Sequence, residues 1–123
     1  MKLSTIAKLL NNEINITEFK KNINPEILDY VNLLKKKGNS TPILLKEDTY
    51  ITIDIEKFNF LCNLFLTDQL DNYEILYLMD ALSLSSNIRF ENEKIRESVE
   101  EFGFSENGNL SKESVKRYMN WLI

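Results

Sequence analysis

Residues 58–84 read FNFLCNLFLTDQLDNYEILYLMDALSL, and the fold is decided there. Phe58, Leu61, Cys62, Leu64, Phe65 and Leu66 precede Leu70, and Ile75, Leu76, Leu78, Met79, Leu82 and Leu84 follow it. Apolar residues occupy most of the circumference of two helices, so both must be covered by neighbours. The join between them is punctuated. Asp71 has Glu74 three residues on, the spacing of a capping box, and Leu70 with Ile75 brackets the cap as a hydrophobic staple.

The same start pattern recurs outward from this centre. It reads as Ile14/Phe19 around Asn15, with Glu18 at the capping-box position, and as Ile23/Leu28 around Asn24, with Pro25 as a first helical residue. It appears again around Asp54, around Glu91 (Phe90/Ile95) and around Ser111 (Leu110/Val115). So many starts in one short chain predict short helices. The first and last pack on the central pair, with Tyr118, Met119, Trp121, Leu122 and Ile123 closing one end. Ile43-Leu44-Leu45 and Tyr50-Ile51-Thr52-Ile53 flank the polar run Lys46-Glu47-Asp48-Thr49, the pattern of a β-hairpin, and Ile88-Arg89-Phe90 is a candidate third strand. The expectation is a mostly α (α+β) fold. It is one helical domain over residues 1–123, a compact bundle of five to six short helices with a small β-hairpin near residues 42–53.

Composition removes whole classes of chemistry. The chain has 123 residues, 19 acidic and 15 basic, with 3 glycines, 1 cysteine and no histidine. Without histidine there is no His-dependent triad, His–metal site or imidazole acid–base catalysis. No phosphate-cradling glycine loop occurs. Cys62 lies among Phe60, Leu61, Leu64 and Phe65 with no cation nearby, so it reads as a buried, inert thiol. The close carboxylate pairs Asp68/Asp71, Asp54/Glu56 and Glu91/Glu93 read as caps and helix starts. The stretch from Gly103 to Ser114 matches a calcium loop at Gly108 and Leu110 but lacks the acidic first and twelfth ligands, so it reads as a turn at Asn107-Gly108. No catalytic residue, metal or cofactor is expected. No targeting segment is recognisable, and the longest apolar run, Phe58 to Leu66, is broken by Asn59 and Asn63, so a cytoplasmic protein without a membrane span is expected.

Charge is uneven. Residues 1–46 carry a net +4, residues 47–110 a net −10 and residues 111–123 a net +2. After Phe90, Ile95, Val99 and Phe102 fall on one helical arc, while Glu93, Glu97, Glu100 and Glu101 fall on the opposite one, flanked by Lys94 and Arg96. Such glutamates repel one another by a few tenths of a kcal/mol per pair. Two readings stay open: an ordinary solvated face, or a docking surface for a basic partner. Nucleic acid is not expected as a partner. Lys35-Lys36-Lys37, with Lys46 nearby, suits a helix C-terminus, the region from Ser4 to Ile23 lacks base-reading side chains, and net acidity opposes phosphate.

Three phrases carry a family resemblance: Leu76-Tyr77-Leu78-Met79-Asp80-Ala81-Leu82-Ser83-Leu84, Ile88-Arg89-Phe90-Glu91-Asn92-Glu93, and Glu106-Asn107-Gly108-Asn109-Leu110-Ser111 before a closing helix. With Thr41-Pro42-Ile43, they resemble small bacterial immunity proteins of polymorphic-toxin and contact-dependent growth inhibition systems. The likeness covers the second half of the chain and the hairpin region. It implies a non-enzymatic protein that neutralises a cognate toxin, commonly a nuclease, by stoichiometric binding. Such families vary at the partner face, so the resemblance assigns no contact residue. The charge pattern nominates Glu93, Glu97, Glu100, Glu101 and Glu106 against a basic toxin, with no membrane and no small-molecule cofactor involved. The alternative is a helical adaptor or chaperone that covers an apolar client segment with exposed Tyr73 and Tyr77 or with Trp121-Leu122-Ile123.

Overall fold

Two caps and one left-handed residue frame the central helices. In the computed structural model, which describes residues 1–37 (side chains through 33), 43, 45–102 and 110–122, Asp54 starts α3 (Ile55–Leu66) by accepting from the Lys57 N–H at 2.8 Å. Beyond Thr67 the Gln69 N–H donates to the Leu64 carbonyl at 2.8 Å and the Asp68 N–H to that of Phe65 at 3.1 Å. This is a Schellman close, and Asp68 takes the position, at φ 63°, that glycine usually fills. Asp71 and Glu74 then form the full capping box that starts α4 (Asn72–Leu84). A β-branched side chain tolerates positive φ poorly. Asp68→Val is therefore expected to cost about 1–2 kcal/mol in urea melts. Asp68→Gly should stay within about 0.5 kcal/mol of the parent, because relief of φ offsets the exposed Lys112–Asp68 ion pair at 2.8 Å.

The N-terminal helices cover one side of that pair. Leu3, Ile6 and Leu9 are the buried stripe of α1 (Leu3–Leu10), which closes through Asn12 at φ 59° in a second Schellman motif. Asn15 caps α2 (Ile16–Lys37), accepting from the Glu18 N–H at 2.8 Å. Here the structure corrects the sequence reading, because Asn24 and Pro25 start no new helix and α2 runs through them unbroken. An interior proline costs about 3 kcal/mol. Phe19, Ile23, Ile27 and Tyr30 are all buried at helical spacing on both sides of Pro25, and that burial holds the helix together. Leu28, paired with Ile23 in the expected staple, is 58% exposed. Contacts Lys20–Glu74, Glu26–Tyr77 and Tyr30–Asp80 advance in the same direction along both helices, so α2 and α4 lie side by side and parallel.

The β element is small, as expected, but it is not a hairpin. β1 (Ile51–Ile53) pairs in parallel with β2 (Ile88–Phe90), in the register Ile51↔Ile88, Thr52↔Arg89 and Ile53↔Phe90. Parallel strands need a long crossover, and α3 with α4 supplies it. The run expected to fold back on β1 is engaged elsewhere. Lys46 donates its N–H to the Met1 carbonyl at 2.8 Å and accepts from the Leu3 N–H at 3.0 Å. Pro42 and Leu44 of the expected hairpin lie outside the described residues. The third strand foreseen at Ile88-Arg89-Phe90 is real.

The remaining helices are α5 (Glu93–Glu101) and α6 (Lys112–Trp121), the latter capped by Ser111, which accepts from the Ser114 N–H at 3.1 Å. Six helices and two strands among the described residues make the fold mostly α with a little β. The buried apolar side chains form one cluster that draws on every helix, from Leu3 to Val115. Two residues placed in the core by sequence sit differently, Leu66 at its margin and Leu84 outside it. Leu66 is half-buried, and Leu84, the last residue of α4, is 69% exposed where the chain turns into β2.

Candidate functional site

α5 is built as a two-sided helix. The sequence pattern puts its cap at Glu91, but the Glu91 N–H is spent on the Ile53 carbonyl at 2.9 Å, still extending the strand pairing. The cap is instead Asn92, whose Oδ1 accepts from the Ile95 N–H at 3.0 Å. Ile95, Ser98, Val99 and Phe102 are buried as α5 packs on α4, α6 and β2. The Phe102 ring meets Phe58 edge-on at 6.3 Å and Tyr118 at 5.2 Å. That apolar seam fixes which side of α5 faces outward.

Glu93, Glu97, Glu100 and Glu101 are all exposed, as the helical arc required. The flanking cations do not neutralise them evenly. Arg96 pairs with Glu93 at 3.4 Å and lies over the Phe90 ring at 5.4 Å, while Lys94 lies over the Trp121 ring at 5.5 Å. Such cation–π contacts hold a positive group against an aromatic face. Among the described residues, Glu97, Glu100 and Glu101 enter no ion pair. The structure thus brings four nominated acids onto one face and, among the described residues, leaves three of them outside any ion pair. The fifth, Glu106, lies outside the described residues, as do most of the Gly103–Ser114 stretch and the Lys35–Lys37 side chains.

A second polar arrangement, missed by the sequence reading, lies in the seam between α2 and α4. The Tyr30 hydroxyl donates to Asp80 Oδ2 at 3.1 Å, and the Tyr77 hydroxyl and the Met1 amino group donate to Glu26 Oε1, the former at 2.9 Å. The two tyrosine rings meet edge-on at 5.1 Å. Tyr77, read as exposed, is only 2% exposed, because the parallel packing of α2 covers that side of α4. Tyr73 is half-buried, Trp121 is 47% exposed beneath Lys94, and Ile123 lies outside the described residues.

Burial pushes the Asp80 carboxyl above the ordinary range, and the Tyr30 hydrogen bond opposes that rise only in part. A raised carboxyl binds its proton more tightly in the folded state, so stability falls as pH rises from the ordinary to the raised value. Asp80→Asn keeps an acceptor for Tyr30 and is expected to flatten that slope in urea melts taken across the weakly acid range. Tyr30→Phe leaves the carboxylate without its donor and should cost about 1–3 kcal/mol at neutral pH.

Four other sequence candidates are accounted for structurally. Asp54 and Asp71 cap helices, Asp68 pairs with Lys112, and burial pushes the Cys62 thiol well up. Among the described residues, no group of three His, Cys, Asp or Glu side chains could hold a metal ion, and no helix is long and apolar enough to cross a membrane. Comparison with models of protein families, with curated proteins and with solved structures gives no match.

Proposed function

We propose that the chain is a non-enzymatic inhibitor of the immunity-protein kind, which neutralises a basic toxin domain one-to-one through the outer face of α5. The observation that carries this reading is the disposition of charge. Lys94 and Arg96 are drawn onto Trp121, Phe90 and Glu93, so among the described residues Glu97, Glu100 and Glu101 meet solvent without an ion pair. Like charges held together on one helix face are mildly unfavourable alone and favourable against a cationic surface. In this reading the acids stand in for nucleic-acid phosphates before the toxin's basic cleft, and the site of action is the cytoplasm.

The test is capture of the partner by the tagged chain from its native cell, with washes at ~50 mM and then ~500 mM salt. A basic protein retained at low salt, released at high salt and present at one copy per copy is the expected result. A client that survives the high-salt wash and is lost on Trp121→Ala would replace this reading with the adaptor or chaperone one, which rests on the exposed part of Trp121.

A further inference from the structure

Residues 45–49 fasten together two places far apart in the sequence, the start of α1 and the turn between α4 and β2. The Lys46 backbone pairs with that of Met1 and Leu3. Asp48 accepts from the Ser4 N–H at 2.9 Å and from the Ser4 hydroxyl at 2.7 Å. Ser4 lies in the first turn of α1, whose own N-cap, Lys2, makes no side-chain cap. The cap of α1 therefore comes from Asp48, far along the chain. Glu47 reaches the other way. Its Oε1 accepts from the Ser85 hydroxyl at 2.5 Å, the Ser86 N–H at 2.8 Å, the Ser86 hydroxyl at 3.2 Å and the Asn87 N–H at 3.3 Å. Asn87 returns two bonds through Nδ2, to the Glu47 and Thr49 carbonyls, each at 3.2 Å. Just before these acids, Leu45 packs half-buried against the core.

We propose that residues 45–49 form an acid-released strap, closed while Glu47 and Asp48 are ionised and opening as a unit, with the helical core still folded, when they are protonated. Every donor around the two carboxylates is an N–H or a hydroxyl. A protonated carboxyl is a poorer acceptor, so each of these charge-assisted bonds weakens when the charge is lost. The hydrogen bond from Ser85 chiefly holds the Glu47 carboxyl below the ordinary range, and those from Ser4 do the same for Asp48. The sign follows from that direction. The clasp's contribution is full above the ordinary carboxylate values, at about pH 4 to 5, and is lost as pH falls from there through the lowered ones. Among the described residues, Ser85, Ser86 and Asn87 facing Glu47 carry no charge, and Lys46 is the charged group acting on Asp48.

One half-buried carboxyl responds in the opposite sense. Asp80, in the α2–α4 seam, sits above the ordinary range, so acid relieves its burial cost as the strap loosens. Opening of the strap uncovers Leu45 and leaves the N-terminus of α1 without its cap.

The experiment is a titration of the full chain by two-dimensional NMR from about pH 7 to about pH 3. The Ser4 and Ser86 amide protons report the two clasps, the Leu45 methyls report the strap, and the Leu78 and Ile95 methyls report the core. The expected result is that Ser4, Ser86 and Leu45 move together, at a pH below the ordinary carboxylate range, while the core methyls keep native positions. The double variant Glu47→Ala, Asp48→Ala should show the open positions already at pH 7. If the clasp amides hold until the core methyls collapse, the strap does not open as a unit and the proposal is overturned. The wild-type titration decides this even if the double variant does not fold. A folded double variant with closed-strap shifts would overturn it equally.

Discussion

Phe102→Ala is expected to lower stability by about 3–5 kcal/mol in urea or thermal melts. Phe102 is fully buried at the C-terminal end of α5, with its ring against Phe58 of α3 and Tyr118 of α6. Three helices meet on one side chain, so none can shift to fill the space without losing contact with another. A domain of this size has about 5–15 kcal/mol in total, so the variant should melt far earlier or populate unfolded chain at 37 °C. Phe102→Leu keeps most of the volume and should cost clearly less. A loss below about 1 kcal/mol for the alanine variant would contradict the role of Phe102 as the bolt of α5. The same residue orients the outer glutamates, so Phe102→Leu should leave the charge of the face intact while loosening its geometry.

Reversing Glu97, Glu100 and Glu101 together to lysine is expected to slow association with the proposed basic partner by roughly 10- to 1,000-fold at low salt. The effect belongs to encounter, because exposed charges steer approach more than they hold the finished complex. Fold stability should move by less than about 0.5 kcal/mol per pair, since these acids make no described ion pair to lose. A reversal of Glu13 and Asp29, exposed on other parts of the chain, changes net charge in the same direction and should slow association far less. Stopped-flow rates for the two variants separate a local docking face from a general charge effect.

What could be read from sequence, and what could not, divides along local and non-local physics. Asn15, Asp54, Asp71 and Ser111 announce their helices because a cap and the N–H that donates to it lie within one turn, and all four accept as expected. The buried face of α5 follows from the helical period, so Ile95, Val99 and Phe102 inside and four glutamates outside were legible together. Pro25 misled because its penalty is local, whereas the burial of Phe19, Ile23, Ile27 and Tyr30 that overrides it is tertiary. The run before β1 has a hairpin's letters, yet Ile51 pairs with Ile88 while Lys46, Glu47 and Asp48 bond to Leu3, Ser86 and Ser4. No periodicity within a dozen residues encodes that competition. For the same reason the sequence shows Lys94 only as a flank of the acids, and the return of α6 places Trp121 beneath it.

The acidic face of α5 is tested most directly by the association rate of the captured partner, measured from about 0.05 to about 0.5 M ionic strength with the parent chain and the triple reversal side by side. A rate that falls steeply with salt for the parent, and starts low and stays nearly flat for the variant, is the expected result. Parent and variant rates that coincide, or a parent rate indifferent to salt, would contradict the docking face itself.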